Sequence, residues 1–300
     1  MSTTSAANPN GSIVIVGATG HLGRLVVEDL LDSGVDAGRI VATGRNTDKL
    51  ADLAERGVKV RRLDFDDPET LDGAFSAGDR VLLVSGSDVG QRQRQHQGVI
   101  DAAVAAGVAQ LAYTSGPKAD TTPMILATDH RLTEEGIKAS GVPATILRNG
   151  WYFENYTDQL GTYLEHGAIL NSAGDARISA ASRADFAAAA AAVLTGPVGD
   201  HVGRVYELGG DTAITLTDLA AAITAATGQT VVSANLPPAE HLAALVGAGV
   251  PEAFAGILVD VDQAAAAGAL EVEGHALSTL IGRPTTSLAD AVAAATTANT

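Results

Sequence analysis

The chain has 300 residues, 46% of them hydrophobic and 18% charged, with a formal net charge of −16 and no cysteine. That is the composition of a globular protein, long enough for one domain with a smaller appendage. The acidity argues against nucleic acid or an anionic membrane as a partner, and the lack of thiols excludes disulfides, thiolate metal sites and a cysteine nucleophile. No apolar run is long enough to span a bilayer. Residues 1–11 are small and polar, so they read as a flexible tail rather than a secretory signal, and the expected location is cytoplasmic.

The elements then come in order. A β-branched run over 12–16 predicts a buried strand, and the apolar spacing after it predicts a helix that Gly34 ends. Strands are expected over 39–43, 58–63, 80–85, 110–114 and 144–147. Helices are expected between them over 47–56, 68–75, 91–106 and 128–139, several closed by glycine. This alternation predicts an α/β fold, a doubly wound parallel sheet of the Rossmann type over 12–150. After Trp151 the rhythm changes. A helix over 185–194, a strand over 204–208, a helix over 217–227 capped by Thr215 or Thr217, a strand over 230–233 and further helices predict a smaller substrate-side domain over 151–300. Part of that domain is expected to pack back on the sheet.

The first turn carries the strongest chemical signal, GATGHLG at 17–23. Placed after a strand and opening a helix, Gly17 permits the tight turn, Gly20 lets a pyrophosphate approach backbone, and Gly23 lets helix and strand pack closely. The free N–H groups from Thr19 through His21 to Leu22 then face the phosphates. The second strand ends Thr43-Gly44-Arg45, without the carboxylate that would bind the ribose hydroxyls of NAD. Arg45 either pairs with a 2′-phosphate, which selects NADP, or is a solvated surface arginine. Asp64, Phe65 and Asp66 come after the third strand, where such folds pass the adenine; Phe65 reads equally well as core.

Five segments carry a family resemblance: GATGHLG, SDVGQRQRQH at 87–96, LAYTS at 111–115, LRNGWYFENY at 147–156 and LIGRPTTSL at 280–288. Together they resemble the NmrA-like, atypical branch of the short-chain dehydrogenases, above all its NAD(P)H:quinone oxidoreductases, with triphenylmethane reductases as near relatives. The resemblance implies an NADP cofactor with NADPH preferred. It places Gly17–Gly23 at the pyrophosphate, Arg45 at the 2′-phosphate, and Ser85 to Val89 (Ser85, Gly86, Ser87, Asp88 and Val89) with Arg92 on the ribose side. Tyr113, Thr114 and Ser115 would approach the nicotinamide. Asn149, Gly150, Trp151, Tyr152 and Phe153 would hold the carboxamide face and begin the substrate pocket.

One departure matters. A typical short-chain dehydrogenase carries Tyr-x-x-x-Lys on the helix after the fifth strand, tyrosine acting as the acid. Here that helix reads TDHRLTEEGIK at 128–138, with His130 and Glu134 at the comparable spacing and no tyrosine. His130 is either the proton donor, its ordinary pKa being near neutral, or a histidine that hydrogen-bonds Glu134 one turn along. Ser115 and Tyr152 are the other catalytic candidates. Lys118 either reaches the mouth of the site or is a solvated loop lysine. Trp151, Tyr152 and Phe153 either stack on a flat ring or fill a core. No metal-ligand spacing is present.

The expected function is hydride transfer from NADPH to a small conjugated acceptor, a quinone before a dye or ketone. The rivals are a non-catalytic NADP-binding redox sensor and a ketone or imine reductase with a recruited acid. Alanine-rich helix faces suit a homo-oligomer as well as a core.

Overall fold

The computed structural model describes residues 11–298; the tail expected over 1–11 lies outside them except for its last residue. In chain order the elements are β1 (Ile13–Val16), α1 (His21–Asp32), β2 (Ile40–Gly44), α2 (Ala51–Glu55), β3 (Lys59–Arg62), β4 (Arg80–Leu83), α3 (Arg92–Ala106), β5 (Gln110–Ser115), α4 (Ile125–Ser140), β6 (Ala144–Asn149), α5 (Glu154–Thr157), α6 (Leu160–His166), β7 (Ala168–Asn171), α7 (Arg183–Thr195), α8 (Val198–His201), β8 (Val205–Leu208), α9 (Leu216–Thr227), β9 (Val232–Asn235), α10 (Pro238–Gly247), α11 (Glu252–Ala266), α12 (Ala276–Ile281) and α13 (Leu288–Ala298). Seven strands form one sheet in the order β3-β2-β1-β4-β5-β6-β8, and β1 to β6 pair in parallel. The expected doubly wound α/β sheet is therefore present. From β1 the chain builds outward first through β2 and β3 and then, on the other side, through β4, β5 and β6. That reversal puts a topological switch point between β1 and β4, where ligands of such sheets bind outside the strands' carboxyl ends.

The residues divide into two compact units. The first holds the chain up to Gly116, Asp129–Arg148 and Phe186–Tyr206. Its central strands are buried on both faces, which is why β1 reads as an unbroken apolar run. Alternate residues Val14, Val16, Val41, Val81, Leu83, Leu111 and Tyr113 share a core with Val99, Ile100 and Ala103 of α3 and Ile137 of α4. At the sheet's edge β3 instead exposes Lys59, Arg61 and Arg62, charges that blunt an open strand. From Phe186 onward α7 is buried almost all round, so its alanines allow close approach. Arg80 caps the end of α7 by donating to the carbonyls of Leu194 (2.8 Å) and Gly196 (2.6 Å).

The second unit holds Pro117–Thr128, Asn149–Asp185 and the chain from Glu207. Its own core joins Phe153, Leu160, Tyr163 and Ile169 to Leu219 and Ile223 of α9 and Val261 of α11. The strands β7 and β9 pair in parallel as a separate two-stranded sheet. Thr215 opens α9 through a reciprocal capping box with Asp218.

Four details differ from the sequence reading. The helix expected over 68–75 is a single 3-10 turn at Pro68–Thr70, and Gly73, at φ +62°, prevents its continuation. Leu71, Ala74 and Phe75 are nonetheless buried, so core-facing turn residues imitated helical spacing. The helix expected over 47–56 starts as a 3-10 segment. α4 begins at Ile125, ahead of the expected 128. The short elements α5, α6 and β7 carry too few residues to set up a period.

Candidate functional site

A cleft of about 220 Å³ opens in the first unit at the carboxyl ends of β1, β2 and β4. It is lined by Gly17, Thr19 and Gly20 of the first turn, by Arg45 after β2, by Asp64, Phe65 and Asp66 after β3, and by Ser85, Gly86 and Ser87 after β4. Gly17 holds φ +93°, open to glycine at little cost, so the chain can leave β1 and enter α1 in one turn. A Cβ on Gly23 would lie 2.4 Å from the Gly17 carbonyl oxygen, so only glycine lets α1 sit this close to the strand end. The first turn of α1 has no capping side chain and no carboxylate. Its orphan N–H groups and the positive end of its dipole are left to whatever enters the cleft.

The charged residues of the cleft are unequally committed. Asp64 pairs with Arg62 and accepts from the Asp66 amide, and Asp66 pairs with Arg94. Arg45 is exposed and has no hydrogen bond or ion pair among the described residues. Its charge contributes to holding the Asp66 carboxyl below the usual range, after the larger effect of the Arg94 hydrogen bond.

The loop after β4 is tied down from behind. Ser85 N–H donates to Thr114 Oγ1 (2.9 Å), Gly86 N–H to His96 Nε2 (3.0 Å) and Gly90 N–H to Asp129 Oδ2 (2.7 Å), while the Gly86 carbonyl accepts from Arg92 Nε (2.6 Å). His96 is fully buried, and burial followed by the Arg92 charge pushes its pKa down to about 4. It is neutral at physiological pH.

At the ends of β5 and β6 two further networks form. The fully buried Tyr113 places its hydroxyl 2.8 Å from His130 Nδ1. Burial pushes the phenol's pKa up and that of His130 down to about 3, so both groups are neutral at physiological pH. The Cδ2–Nε2 edge of the His130 ring lies against Gly116. Glu134 is not the partner of His130. It takes a bidentate bond from Arg148 (3.0 and 2.6 Å) and the Ser115 hydroxyl proton (2.5 Å).

In the second unit, Phe153 is core. Tyr152 places its ring 5.5 Å beneath the Arg183 guanidinium, so one face of the ring is already covered. Asn149 Nδ2 lies 3.4 Å from the Tyr152 hydroxyl, while Asn149 Oδ1 is buried without a hydrogen-bond partner among the described residues. Gly150 N–H donates to the Leu208 carbonyl (2.7 Å), which a Cβ at that position would crowd. Lys118 is half-buried and bonded, not a solvated loop lysine. Its Nζ donates to the Gly268 carbonyl (2.8 Å) and its amide to the Glu207 carboxylate, and these bonds hold its backbone at φ +50°. Ser172, His241 and Asp262 also meet, but both oxygens face the same ring nitrogen, Nδ1 (3.2 and 3.3 Å). A nucleophilic relay needs the two ring nitrogens on different partners.

The profile of the NAD(P)H-binding family matches residues 17–197. Quinone oxidoreductase 2 of Escherichia coli (strain K12) is 48% identical over 280 residues, which cover 93% of this chain and 97% of that protein. The chain belongs to the NAD(P)H-binding, NmrA-like family. Among solved structures, the E. coli NADPH-dependent quinone oxidoreductase complexed with NADPH has a TM-score of 0.90 at 47% identity, over 94% of this chain and 99% of that one. The Citrobacter sp. triphenylmethane reductase complexed with NADP(H) has a TM-score of 0.89 at 36% identity, over 95% and 100%. Both relatives are of the kinds that the five sequence segments suggested.

In this NmrA-like chain, Gly17, Thr19, Gly20, Arg45, Asp64, Phe65, Ser85, Gly86 and Ser87 line the cleft together. His21 is exposed at the start of α1. Leu22 and Gly23 are buried under the helix, and Arg92, Tyr113 and Thr114 stand behind the lining as supports. Asp66 and Asp88, expected after the third strand and in the ribose segment, also line the cleft. Sequence reasoning gave no site role to Gly44 or Gln95, which line it too; Gln95 lies within SDVGQRQRQH. The residues fit a dinucleotide by their own state: an uncapped helix start, an unpaired guanidinium, and a buried Gln95 Oε1 that has no partner.

Proposed function

We propose that this chain is an NADPH-dependent reductase that delivers a hydride to a quinone. The single observation that carries the cofactor assignment is the cleft itself, with an uncapped α1 start at one end and the unpaired Arg45 at the other. Arg45 suits a 2′-phosphate, since a guanidinium binds phosphate through two parallel donors. The 48% identity to quinone oxidoreductase 2 and the 47% identity to its NADPH complex support both the cofactor and the acceptor class.

When bound, the nicotinamide supplies the hydride. The chain's part is positioning and electrostatics. Gly17–Gly23 hold the pyrophosphate, and Ser85–Ser87 the ribose side. A quinone takes up one hydride and one proton to become a hydroquinone. After the hydride the product is a stabilised phenolate, so the proton can come from water without a strong resident acid. Ser115 is committed to Glu134 and Tyr113 to His130, so neither is free to give its proton. We assign His130 the neutral tautomer that accepts from Tyr113 at Nδ1 and carries its proton on Nε2, and with it the role of hydrogen-bond donor to the reduced oxygen, as an uncharged imidazole can polarise a carbonyl without giving up its proton. Asn149 keeps a buried Oδ1 unpaired among the described residues, which suits it to amide recognition.

The test is NADPH oxidation with a small quinone, run beside NADH and beside Arg45→Ala. Turnover with NADPH is expected, with Kd for NADPH raised roughly ten- to hundredfold in Arg45→Ala, as for the loss of charged hydrogen bonds, and NADH unaffected. Binding of NADPH without oxidation, across quinones, dyes and ketones, would sink the reductase reading and leave a dinucleotide sensor.

A further inference from the structure

We propose that His96 is a positioning residue for the dinucleotide: it fixes the Ser85–Ser87 loop through the Gly86 amide, and Thr133 dictates which of its ring nitrogens can do so. The inference rests on the dinucleotide reading of the cleft.

The tautomer is set by donor and acceptor accounting. Thr133 Oγ1 donates its one proton to the Asp129 carbonyl at 2.8 Å. Toward His96 Nδ1, 3.0 Å away, it can therefore only accept. The proton of the ring must sit on Nδ1, and Nε2 is left bare. Bare Nε2 is what the Gly86 amide requires, because that amide is a donor. A single directed chain thus runs from Gly86 N–H through His96 and Thr133 to the backbone of α4.

The setting holds this chain in place. His96 is 0% exposed and Thr133 1%. The ring packs edge-on against Phe65, which lines the cleft (centroids 5.9 Å apart), and against Tyr113 on β5 (5.4 Å). The ionisable groups around it are Arg92 on its own helix, Tyr113 on β5, and His130 on α4. Arg92 disfavours protonation, and so does burial, so the acceptor survives at physiological pH. The same α4 carries Asp129, which accepts the Gly90 amide. α4 therefore controls the loop at two points.

Removing the acceptor leaves a half-buried amide without a partner, or lets the loop turn away. Either way the dinucleotide must order the loop as it binds. The cost then falls on affinity and not on the hydride step.

The experiment measures NADPH affinity by titration of the folded protein in His96→Phe, His96→Asn, His96→Gln and Thr133→Val, together with the imidazole ¹⁵N spectrum. Phe fills the volume with no acceptor, and Asn reaches only the Nδ1 position. Gln places an amide oxygen near the lost Nε2. Kd is expected to rise roughly tenfold in His96→Phe and His96→Asn and to recover within about threefold in His96→Gln, the scale of one unsatisfied amide. kcat at saturating NADPH stays within about twofold throughout, the mark of an effect on binding alone. The unaltered protein shows a protonated Nδ1 and a bare Nε2, and Thr133→Val populates both tautomers. A folded His96→Phe or His96→Asn that binds NADPH normally would overturn the inference alone, as would a ring proton on Nε2 in the unaltered protein. Failure of the unaltered protein to bind NADPH would overturn the dinucleotide reading, and this inference with it.

Discussion

At the scale of single residues, the buried polar groups divide into those that hold the fold and those that remain for a ligand. Glu134 and Arg148 are almost wholly buried, and each satisfies the other in bidentate fashion. Glu134→Gln removes the carboxylate from this buried pair, a change that costs about 3–5 kcal/mol in such pairs. Urea unfolding should show that loss, and the double variant Glu134→Gln/Arg148→Met should recover part of it. His130 makes a different prediction. His130→Phe removes the hydrogen-bond partner of the Tyr113 hydroxyl, at about 1 kcal/mol of stability, and also the proposed donor to the acceptor oxygen. Its kcat for quinone should fall by more than tenfold with NADPH Kd unchanged, on the scale of one lost donor to developing charge. An unaltered kcat would return His130 to a purely structural role. The sequence placed His130 beside Glu134, one turn along the same helix. The structure gives each a partner on a neighbouring strand, which no helical spacing could reveal.

Among elements, the junction of β1 and α1 is the most exacting. Gly20 and Gly23 differ in what a methyl group would meet. At Gly23 it would lie 2.4 Å from the Gly17 carbonyl oxygen, and at Gly20 3.5 Å from the same atom, an ordinary contact. Gly23→Ala must push α1 off its strand and should destabilise by about 1–3 kcal/mol, as overpacked sites do. Gly20→Ala should fold with a nearly unchanged midpoint and still bind NADPH weakly, because the methyl covers the approach to the α1 amides. Thermal unfolding beside NADPH titration separates the two, and equal effects on stability would refute the division of roles. This junction was legible in the sequence because all its parts lie within a dozen residues. The turn at Pro68–Thr70 was not, since buried Leu71, Ala74 and Phe75 serve the core without continuing a helix.

For the whole molecule the main lever is protonation. His96 and His130 have pKa values of about 4 and about 3 in the folded protein, against about 6.5 in an unfolded chain. Between these values the unfolded state binds more protons than the native one, so stability increases with pH. The contribution is complete above about pH 6.5, is lost as pH falls through that window, and stops changing below the folded values. Each histidine can contribute at most about 1.4 kcal/mol per pH unit. Urea midpoints should therefore drop between pH 7 and pH 5, and His96→Gln, which cannot titrate, should flatten the slope. A slope that His96→Gln leaves unchanged would mean that this ring is not kept neutral by the fold. Among the described residues no helix is long and apolar enough to cross a membrane.

By itself the sequence determined the features whose causes are local. β-branched runs and glycine-closed helices set the alternation, and the alternation set a parallel sheet. GATGHLG between strand and helix fixed the site of the cleft, and the absence of a carboxylate after β2 pointed to Arg45. Only the tertiary structure decided which polar groups meet. Tyr113 finds His130, Glu134 finds Arg148, Arg80 caps a helix more than a hundred residues later, and His96 turns its bare nitrogen to Gly86. These pairings depend on strand order and on which helix covers which face. A hydrogen bond is satisfied or lost within a few tenths of an ångström, and sequence spacing does not specify distance that finely once the chain has crossed from one element to another.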